Sequence, residues 1–165
     1  MTLRTKVLLL VFVAGVASLG ALFAQAQQKP AIAYPTNYRK WTHVKTMVIW
    51  GKENKYFDKF GGLHNVYAND IAWPSLRQGR AYADGSMFAF ELFDIRTFQG
   101  AIEARARKSL WVMKKNAKLY PDTGGWGFEV FQGYEVKGSL KDMKQCFSCH
   151  APQKPRDYVN SDYMQ

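Results

Sequence analysis

Five consecutive residues near the C-terminus constrain this chain more than any other feature. They are Cys146, Phe147, Ser148, Cys149 and His150, which form the pattern C-x-x-C-H. In this pattern two thiols can add to the vinyl groups of a haem, and the adjacent histidine can reach the iron from the same side of the ring. The spacing therefore predicts haem c attached through Cys146 and Cys149, with His150 as the proximal iron ligand.

Paired cysteines also occur in zinc sites and in redox dithiols. A zinc site needs a second pair of ligands, and the chain contains only two cysteines. A thioredoxin-like dithiol needs a strand–helix–strand setting, which the pattern of this chain does not provide. We therefore expect one covalent haem c as the cofactor.

The N-terminal segment is typical of an export signal. Two basic residues precede an uncharged, apolar run over 7–24, and the triplet A-Q-A that ends at Ala26 supplies the small residues that a signal peptidase recognises. An uncleaved membrane anchor is the alternative, because the run is close to the length that spans a bilayer. We expect a signal peptide over 1–26, a haem domain over 27–165 and a periplasmic location.

The chain is basic, with 23 Lys and Arg residues against 13 acidic residues. Removal of the signal, with Arg4 and Lys6, lowers the formal charge from +10 to +8. The remaining basic residues are scattered, and the short clusters at 105–108 and 114–115 belong to no nucleic-acid-binding motif. We expect no nucleic-acid partner and interpret the surplus as a solvated basic face, with docking to an acidic redox protein as the alternative.

The interior of the chain predicts an α+β fold with a single antiparallel β-sheet and a few short helices. Runs rich in β-branched and aromatic residues alternate with glycine-containing turns such as Asp84-Gly85 and Gly124-Gly125. The predicted strands lie at 41–50, 63–67, 86–93, 109–115 and 126–131. The predicted helices lie at 36–41, 70–76, 99–105 and 140–149. With 165 residues, of which 47% are hydrophobic, the chain suits one domain better than two.

The second axial ligand decides what a haem does. A Met or His ligand suits electron transfer, and an open position suits gas binding or catalysis. Core packing is the competing interpretation for the three methionines in predicted strands, and a hydrogen bond within the sheet is the competing interpretation for the two histidines. Met143 lies too near the motif to reach the opposite side of a haem. The candidates are Met47, Met87, Met113, Met143, Met164, His43 and His64. The sequence leaves this choice open.

Five further stretches are distinctive. They read Y-R-K-W-T-H-V-K from Tyr38, F-G-G-L-H-N-V-Y-A-N from Phe60, D-G-S from Asp84, T-G-G-W-G-F-E from Thr123 and R-D-Y-V from Arg156. Together with the C-terminal haem motif, they make nearly all of the mature chain similar to the cytochrome P-460 and cytochrome c′-beta family of bacterial monohaem proteins. The resemblance implies an antiparallel sheet with helices and, usually, a homodimer.

This family includes two functional types. The P-460 type oxidises hydroxylamine and carries a covalent bond from a lysine to the haem edge, whereas the c′-beta type lacks that bond and binds NO and CO at a five-coordinate haem. The position that resembles the linking lysine carries Arg77, and the stretch 75–85 contains no lysine. Because a guanidinium stays protonated and is a poor nucleophile, the resemblance favours the c′-beta type. Hydroxylamine oxidation and plain electron transfer are the alternatives, so whether the protein is an enzyme stays open.

The resemblance also implies an aromatic pair on the distal side of the haem. Phe60 and Phe90 match the members of that pair. Side chains alternate along a strand, so Phe90 shares an apolar face with Phe88 and Leu92. Ordinary core packing is the alternative for both rings.

Charged residues near these strands have less specific interpretations. Glu91 and Asp94 are expected on a solvated face, with proton donation near a haem as the alternative. One or two basic side chains usually neutralise haem propionates. Arg77 and Arg80 are candidates for propionate or distal contacts, and Arg39 and Lys45 are further candidates for the propionates.

Overall fold

Five strands form one antiparallel sheet in the computed structural model, which describes residues 31–163. Each strand pairs with its neighbour in sequence, in the order β1-β2-β3-β4-β5. The strands are β1 (Thr42–Ile49), β2 (Gly62–Ala68), β3 (Met87–Phe98), β4 (Ala101–Lys115) and β5 (Trp126–Gln132). This confirms the predicted α+β fold. The predicted signal peptide and Met164 lie outside the described residues.

Short helices connect the strands and follow the last one. They are α1 (Phe57–Phe60), α2 (Trp73–Gln78) and α3 (Met143–His150), with 3-10 helices over Tyr38–Lys40, Pro121–Thr123 and Ala151–Arg156. The start of α3 is capped by Asp142, whose side chain accepts a hydrogen bond from the backbone N–H of Lys144. The helical segments predicted at 36–41, 70–76 and 140–149 are present but shorter or shifted, and α1 was not predicted. Within 31–163, none of the helices has the length and apolar character needed to cross a membrane.

The segment predicted as a helix at 99–105 is instead a hairpin turn and the start of β4. Gln99 and Gly100 have φ angles of 46° and 82°, a left-handed conformation that suits a tight turn between two strands. Arg96 and Glu103 face each other across the hairpin, and their Nε and Oε2 atoms are 2.6 Å apart. The Ala, Arg and Glu residues of this segment favour a helix by propensity, but cross-strand pairing overrides that preference.

The sheet separates two cores. On one side, which we call the cavity face, buried residues pack beneath the helices and the C-terminal segment; they include Val66, Phe88, Met113, Trp126 and Phe128. On the other side, the N-terminal face, the chain before β1 covers a second set of buried residues; this set includes Ile32, Tyr38, Ala89, Leu110, Val112 and Phe131. Strand alternation thus assigns neighbouring residues of β3 to different cores.

Glu91 lies at the centre of the N-terminal face and is only 1% exposed. Its carboxylate accepts a hydrogen bond from Tyr38 Oη and another, of 2.6 Å, from Arg39 Nη2. Burial, and then the hydrogen bond to Glu91, raise the pKa of the Tyr38 phenol, so the phenol stays protonated and donates. The expectation that Glu91 lies on a solvated face is therefore wrong. Asp94 is more than half exposed, as expected.

Arg107 completes the charged cluster from β4. Its Nη1 donates to Tyr38 Oη at 2.7 Å and to Tyr34 Oη at 2.9 Å, and its Nε donates to the Gly133 carbonyl at 2.6 Å. The same Nη1 lies 3.6 Å from Glu91 Oε1, and both side chains are almost fully buried. The buried carboxylate is thus paired and hydrogen-bonded, as burial of a charge requires.

Candidate haem-binding site

A cavity of about 370 Å³ lies between the cavity face and α3. Its walls are mostly apolar and include Val66, Phe88, Phe90, Trp111, Met113 and Phe128. The motif residues Cys146, Cys149 and His150 also line it. An apolar space with a few convergent reactive groups is the usual form of a cofactor site.

The two cysteines lie on α3 at a spacing of three residues, which places them on the same side of the helix. Both are free thiols that line the cavity. Cys146 is buried, and burial raises the pKa of its thiol, whereas Cys149 is exposed. This arrangement presents two thiols from one helix face to an apolar space, as attachment of a haem edge requires.

His150 ends α3 with its imidazole oriented by a backbone hydrogen bond. Nδ1 lies 2.8 Å from the carbonyl oxygen of Tyr158. Because a carbonyl can only accept, Nδ1 carries the proton and Nε2 keeps the lone pair needed to ligate a metal. Desolvation lowers the pKa of His150, which favours the neutral imidazole. The Phe128 ring packs beside it, with ring centroids 5.0 Å apart.

The carbonyl of Tyr158 is positioned by a left-handed turn after the last 3-10 helix. Asp157 and Tyr158 have φ angles of 49° and 66°, a conformation that costs free energy for residues other than glycine. Asp157 fixes the turn, since Oδ1 accepts from Lys115 Nζ at 2.6 Å and its carbonyl accepts from Trp126 Nε1 at 2.8 Å. The sheet thereby holds the acceptor that orients the motif histidine.

Phe60 and Phe90 meet at the cavity wall. Their ring centroids are 5.7 Å apart in an edge-on contact, and the Trp111 ring lies 5.3 Å from that of Phe60. Phe60 ends α1, and Phe90 pairs with Trp111 across β3 and β4. The structure thus brings the two phenylalanines together in the cavity, and their role as a distal cap stays a prediction.

The family model described as Cytochrome P460 matches residues 35–161. The chain belongs to the Cytochrome P460 family. The match includes the whole sheet, the motif on α3 and the turn that holds the Tyr158 carbonyl. None of the curated proteins that we compared with the chain matches it.

Membership of the Cytochrome P460 family implies a haem cofactor, and the residues around the cavity fit one. Two free thiols and one imidazole with an available Nε2 converge on an apolar space. Within 31–163, no group of three or more His, Cys, Asp or Glu residues is suited to a separate metal ion. The covalent attachment through Cys146 and Cys149 and the ligation by His150 stay predictions.

Basic residues at the cavity differ from those named from the sequence. The Arg77 guanidinium lies 5.8 Å from the Trp73 ring, Arg80 is exposed, and neither lines the cavity. The basic side chains that line the cavity in the described part of the chain are Lys45 and Lys59. Lys59 Nζ lies above two of the cavity's aromatic rings, at 5.2 and 5.3 Å from their centroids. Lys45 was a candidate from the sequence, whereas only folding reveals the position of Lys59.

The candidates for a second axial ligand are separated by the fold. Those that line the cavity are Met47, Met113 and His64. Met87 packs on the N-terminal face, Met143 packs beside the motif on its own helix, and His43 is exposed beside Thr46. The sequence pattern does not separate these candidates, because it does not show which face of the sheet lies near α3.

His64 is hydrogen-bonded, which is one of the interpretations given from the sequence, but the sequence did not predict an unpartnered ring nitrogen at the cavity. It lies in β2, is 1% exposed, and forms a hydrogen bond from Nε2 to the Phe60 carbonyl. Its ring centroid is 4.8 Å from that of Phe90. Nδ1 is buried and has no hydrogen-bond partner among the described residues. Desolvation lowers the pKa of this histidine.

Proposed function

We propose that this protein is an exported c-type haem protein that binds NO and CO at an open axial position, in NO trapping, sensing or detoxification. Cys146 and Cys149 hold the haem through thioethers, and Nε2 of His150 is the proximal ligand. When bound, the haem supplies an iron atom whose remaining axial position accepts a small ligand. The observation that carries the proposal is the aromatic cluster of Phe60, Phe90 and Trp111 at the cavity wall.

This cluster offers no free hydrogen-bond donor to a ligand. The two phenylalanine rings have none, and the indole N–H of Trp111 donates to Ser109 Oγ at 2.8 Å. A ligand that gathers negative charge on binding needs a donor, whereas NO and CO bind through strong bonds to iron and depend less on polar help. The cluster therefore favours NO and CO over O₂.

Lys45 and Lys59 are the proposed partners of the haem propionates. Each carries an ammonium group at the cavity, where a carboxylate would gain a charge-assisted hydrogen bond. Arg77, in contrast, packs against Trp73 outside the cavity lining. The proposal assigns these lysines to ionic contacts and not to a covalent bond with the haem.

Hydroxylamine oxidation is the second candidate function. The observation that favours it is the amine of Lys59 at the cavity, since the resemblance links that activity to a bond between a lysine and the haem edge. Electron transfer requires a second axial ligand, for which Met47, Met113 and His64 line the cavity.

Titration of the purified ferrous protein with CO and NO, followed by optical absorption, tests the proposal. We expect one ligand per haem with saturation, and no turnover of hydroxylamine when an electron acceptor is supplied. Sustained hydroxylamine oxidation together with a red-shifted Soret band would favour the second candidate instead.

We also propose a homodimer in the periplasm, and the hairpin between β3 and β4 supports the dimer. β2 pairs with β3 only as far as Phe93, and β5 pairs with β4 only from Ser109 onward, so the tip of the hairpin extends beyond the sheet. Phe98 and Ile102 are 60% and 42% exposed there. A two-stranded ribbon that exposes apolar residues is marginal in water by itself, so contact with a second copy would stabilise it.

A further inference from the structure

His64 combines full burial, a fixed ring and an unpaired nitrogen at the cavity wall. Its Nδ1 is one of two buried side-chain polar atoms without a partner in the described part of the chain; the other is Ser86 Oγ. Of the two residues, only His64 lines the cavity. Native proteins rarely leave a buried acceptor unpaired, because it has lost its hydrogen bonds to water.

The hydrogen bond to Phe60 decides which nitrogen of the imidazole carries the proton. A backbone carbonyl only accepts, so Nε2 carries the hydrogen and donates it. In a neutral imidazole the other nitrogen then has a lone pair and acts as an acceptor. Desolvation, which lowers the pKa of His64, supports the neutral form.

The ring cannot easily turn to find a partner within the protein. β2 is an interior strand, and His64 pairs with Met47 on one side and with Leu92 on the other. Rotation of the side chain would break the bond to the Phe60 carbonyl and the contact with the Phe90 ring. Residues 31–163 therefore provide no partner for Nδ1, which leaves it available to a ligand in the cavity.

We propose that Nδ1 of His64 is a hydrogen-bond acceptor that selects cavity ligands carrying an N–H or O–H group. The inference rests on the proposed function, because it needs a ligand position in this cavity. NO and CO carry no hydrogen and gain nothing from an acceptor. Water and hydroxylamine both carry such a hydrogen and can donate it to Nδ1. The experiment separates these two possible donors.

Two substitutions separate the two nitrogens of the ring in the full-length haem-loaded protein. In His64→Gln the side-chain N–H group can reach the Phe60 carbonyl, but no acceptor stands at the Nδ1 position. In His64→Asn the side-chain oxygen lies near the Nδ1 position, but the bond to Phe60 is lost. His43→Gln, at an exposed histidine of β1, is the matched control.

Equilibrium dissociation constants are measured for hydroxylamine on the ferric protein and for CO on the ferrous protein. We expect His64→Gln to weaken hydroxylamine binding about tenfold, which is the loss expected for one hydrogen bond. The same substitution should change CO binding by less than about twofold. His64→Asn should retain most of the hydroxylamine affinity, and His43→Gln should match the wild type. Equal losses for both ligands, or no loss for either, would overturn the inference.

Resonance Raman spectra of the ferric protein without added ligand test whether a bound water is the partner of Nδ1. A six-coordinate wild type that becomes five-coordinate in His64→Gln supports water as a resident partner. A five-coordinate wild type that shows the tenfold effect supports the added protic ligand.

Two further readouts keep this inference separate from the gas-binding proposal. Failure of the wild type to bind CO would contradict that proposal, while the hydroxylamine comparison would still test His64. If the variants do not fold, ¹⁵N chemical shifts of the wild-type histidines provide the test. An unprotonated Nδ1 in His64 supports the inference, and a protonated one overturns it.

Discussion

Phe90 and Glu91 are neighbours in β3, yet their side chains enter two different kinds of core. On the N-terminal face, the Glu91 carboxylate is fully buried and bonded to Tyr38 and Arg39, with Arg107 beside it. On the cavity face, Phe90 borders an open space, and Nδ1 of the neighbouring His64 has no partner within residues 31–163. The Glu91 carboxylate is thus paired within the described part of the chain, whereas the cavity face leaves room and an acceptor for a ligand.

This difference separates stability from ligand binding within a single sheet. The paired charges hold the segment before β1 against the sheet. The cavity face gives up packing where the haem is expected to lie. Substitutions on the N-terminal face should therefore change the free energy of unfolding, whereas those on the cavity face should change the cofactor or its ligands.

The largest effect is expected from removal of both motif thiols. Cys146→Ser combined with Cys149→Ser should abolish covalent haem, because no other cysteine exists to form a thioether. Intact mass under denaturing conditions should exceed that of the mature polypeptide by one haem in the wild type and not in the double variant. Ser148→Ala, which keeps both thiols, is the control and should retain the adduct. A haem adduct in the double variant would contradict the assignment of the cavity.

The next largest effect should come from the buried charges on the opposite face. Arg107→Met leaves the Glu91 carboxylate buried without its inner partner, which typically costs about 3–5 kcal/mol of the free energy of unfolding. Arg39 bonds to the same carboxylate but is 58% exposed, so Arg39→Met should cost about 1 kcal/mol or less. Urea denaturation measures both. Equal losses would mean that burial does not distinguish the two pairs.

The two faces were also unequally predictable from the sequence. The C-x-x-C-H motif predicted Cys146, Cys149 and His150 as haem-binding residues from their local spacing, and the structure places all three at the cavity, while their bonds to a haem stay a prediction. Alternation along β3 correctly placed Phe90 on the apolar face, but it could not show that Glu91 opposite would be covered by the segment before β1. That covering is a contact between residues 52 and 53 positions apart.

Long-range contacts explain the other differences as well. The segment 99–105 has helical propensity, and only its pairing with β3 makes it a strand. Lys59, on α1, and His64, on β2, both line the cavity, and no local pattern encodes that convergence. Arg77 was singled out by resemblance, and its packing on Trp73 depends on the orientation of α2.

Opening the aromatic cluster should alter ligand entry with a smaller effect on stability. Phe90→Ala should increase the rate of CO association with the ferrous protein severalfold, because ligand entry no longer requires movement of the ring. Phe90 is only partly buried in the described chain, so its loss should cost less than the roughly 3–5 kcal/mol of a fully buried phenylalanine. Flash photolysis of the CO complex provides the rates.

Phe98→Ala, at the exposed end of the hairpin, is the matched control and should leave the rate unchanged. If a folded Phe60→Ala, Phe90→Ala double variant binds CO at the wild-type rate, the two rings are ordinary core residues.

Burial of His64 on the cavity face should make the free energy of unfolding depend moderately on pH. Desolvation lowers the pKa of His64 in the folded state. The unfolded chain therefore binds more protons than the folded chain as the pH falls below about 6.5. The wild type should therefore lose stability between about pH 7 and pH 5, by up to about 1.4 kcal/mol per pH unit. His64→Gln lacks this titration and should lose less. Urea denaturation across that range gives the comparison, and parallel curves would contradict it.

The last prediction expects no change on any lysine side chain, because we expect no covalent bond between a lysine and the haem. Peptide mapping should find haem only on the fragment that contains Cys146 and Cys149. The fragments that contain Lys45 and Lys59 are the most informative, because these amines line the cavity. Haem on a lysine fragment would move hydroxylamine oxidation ahead of gas binding.

A resonance Raman and optical spectrum of the purified ferrous protein, before any ligand is added, tests whether the cavity face leaves one side of the haem open. An open side predicts a five-coordinate, high-spin ferrous haem, which CO or NO then converts to a new species. A six-coordinate, low-spin spectrum in the absence of added ligand would contradict it, because a side chain such as Met47, Met113 or His64 would then occupy the position assigned to the gas.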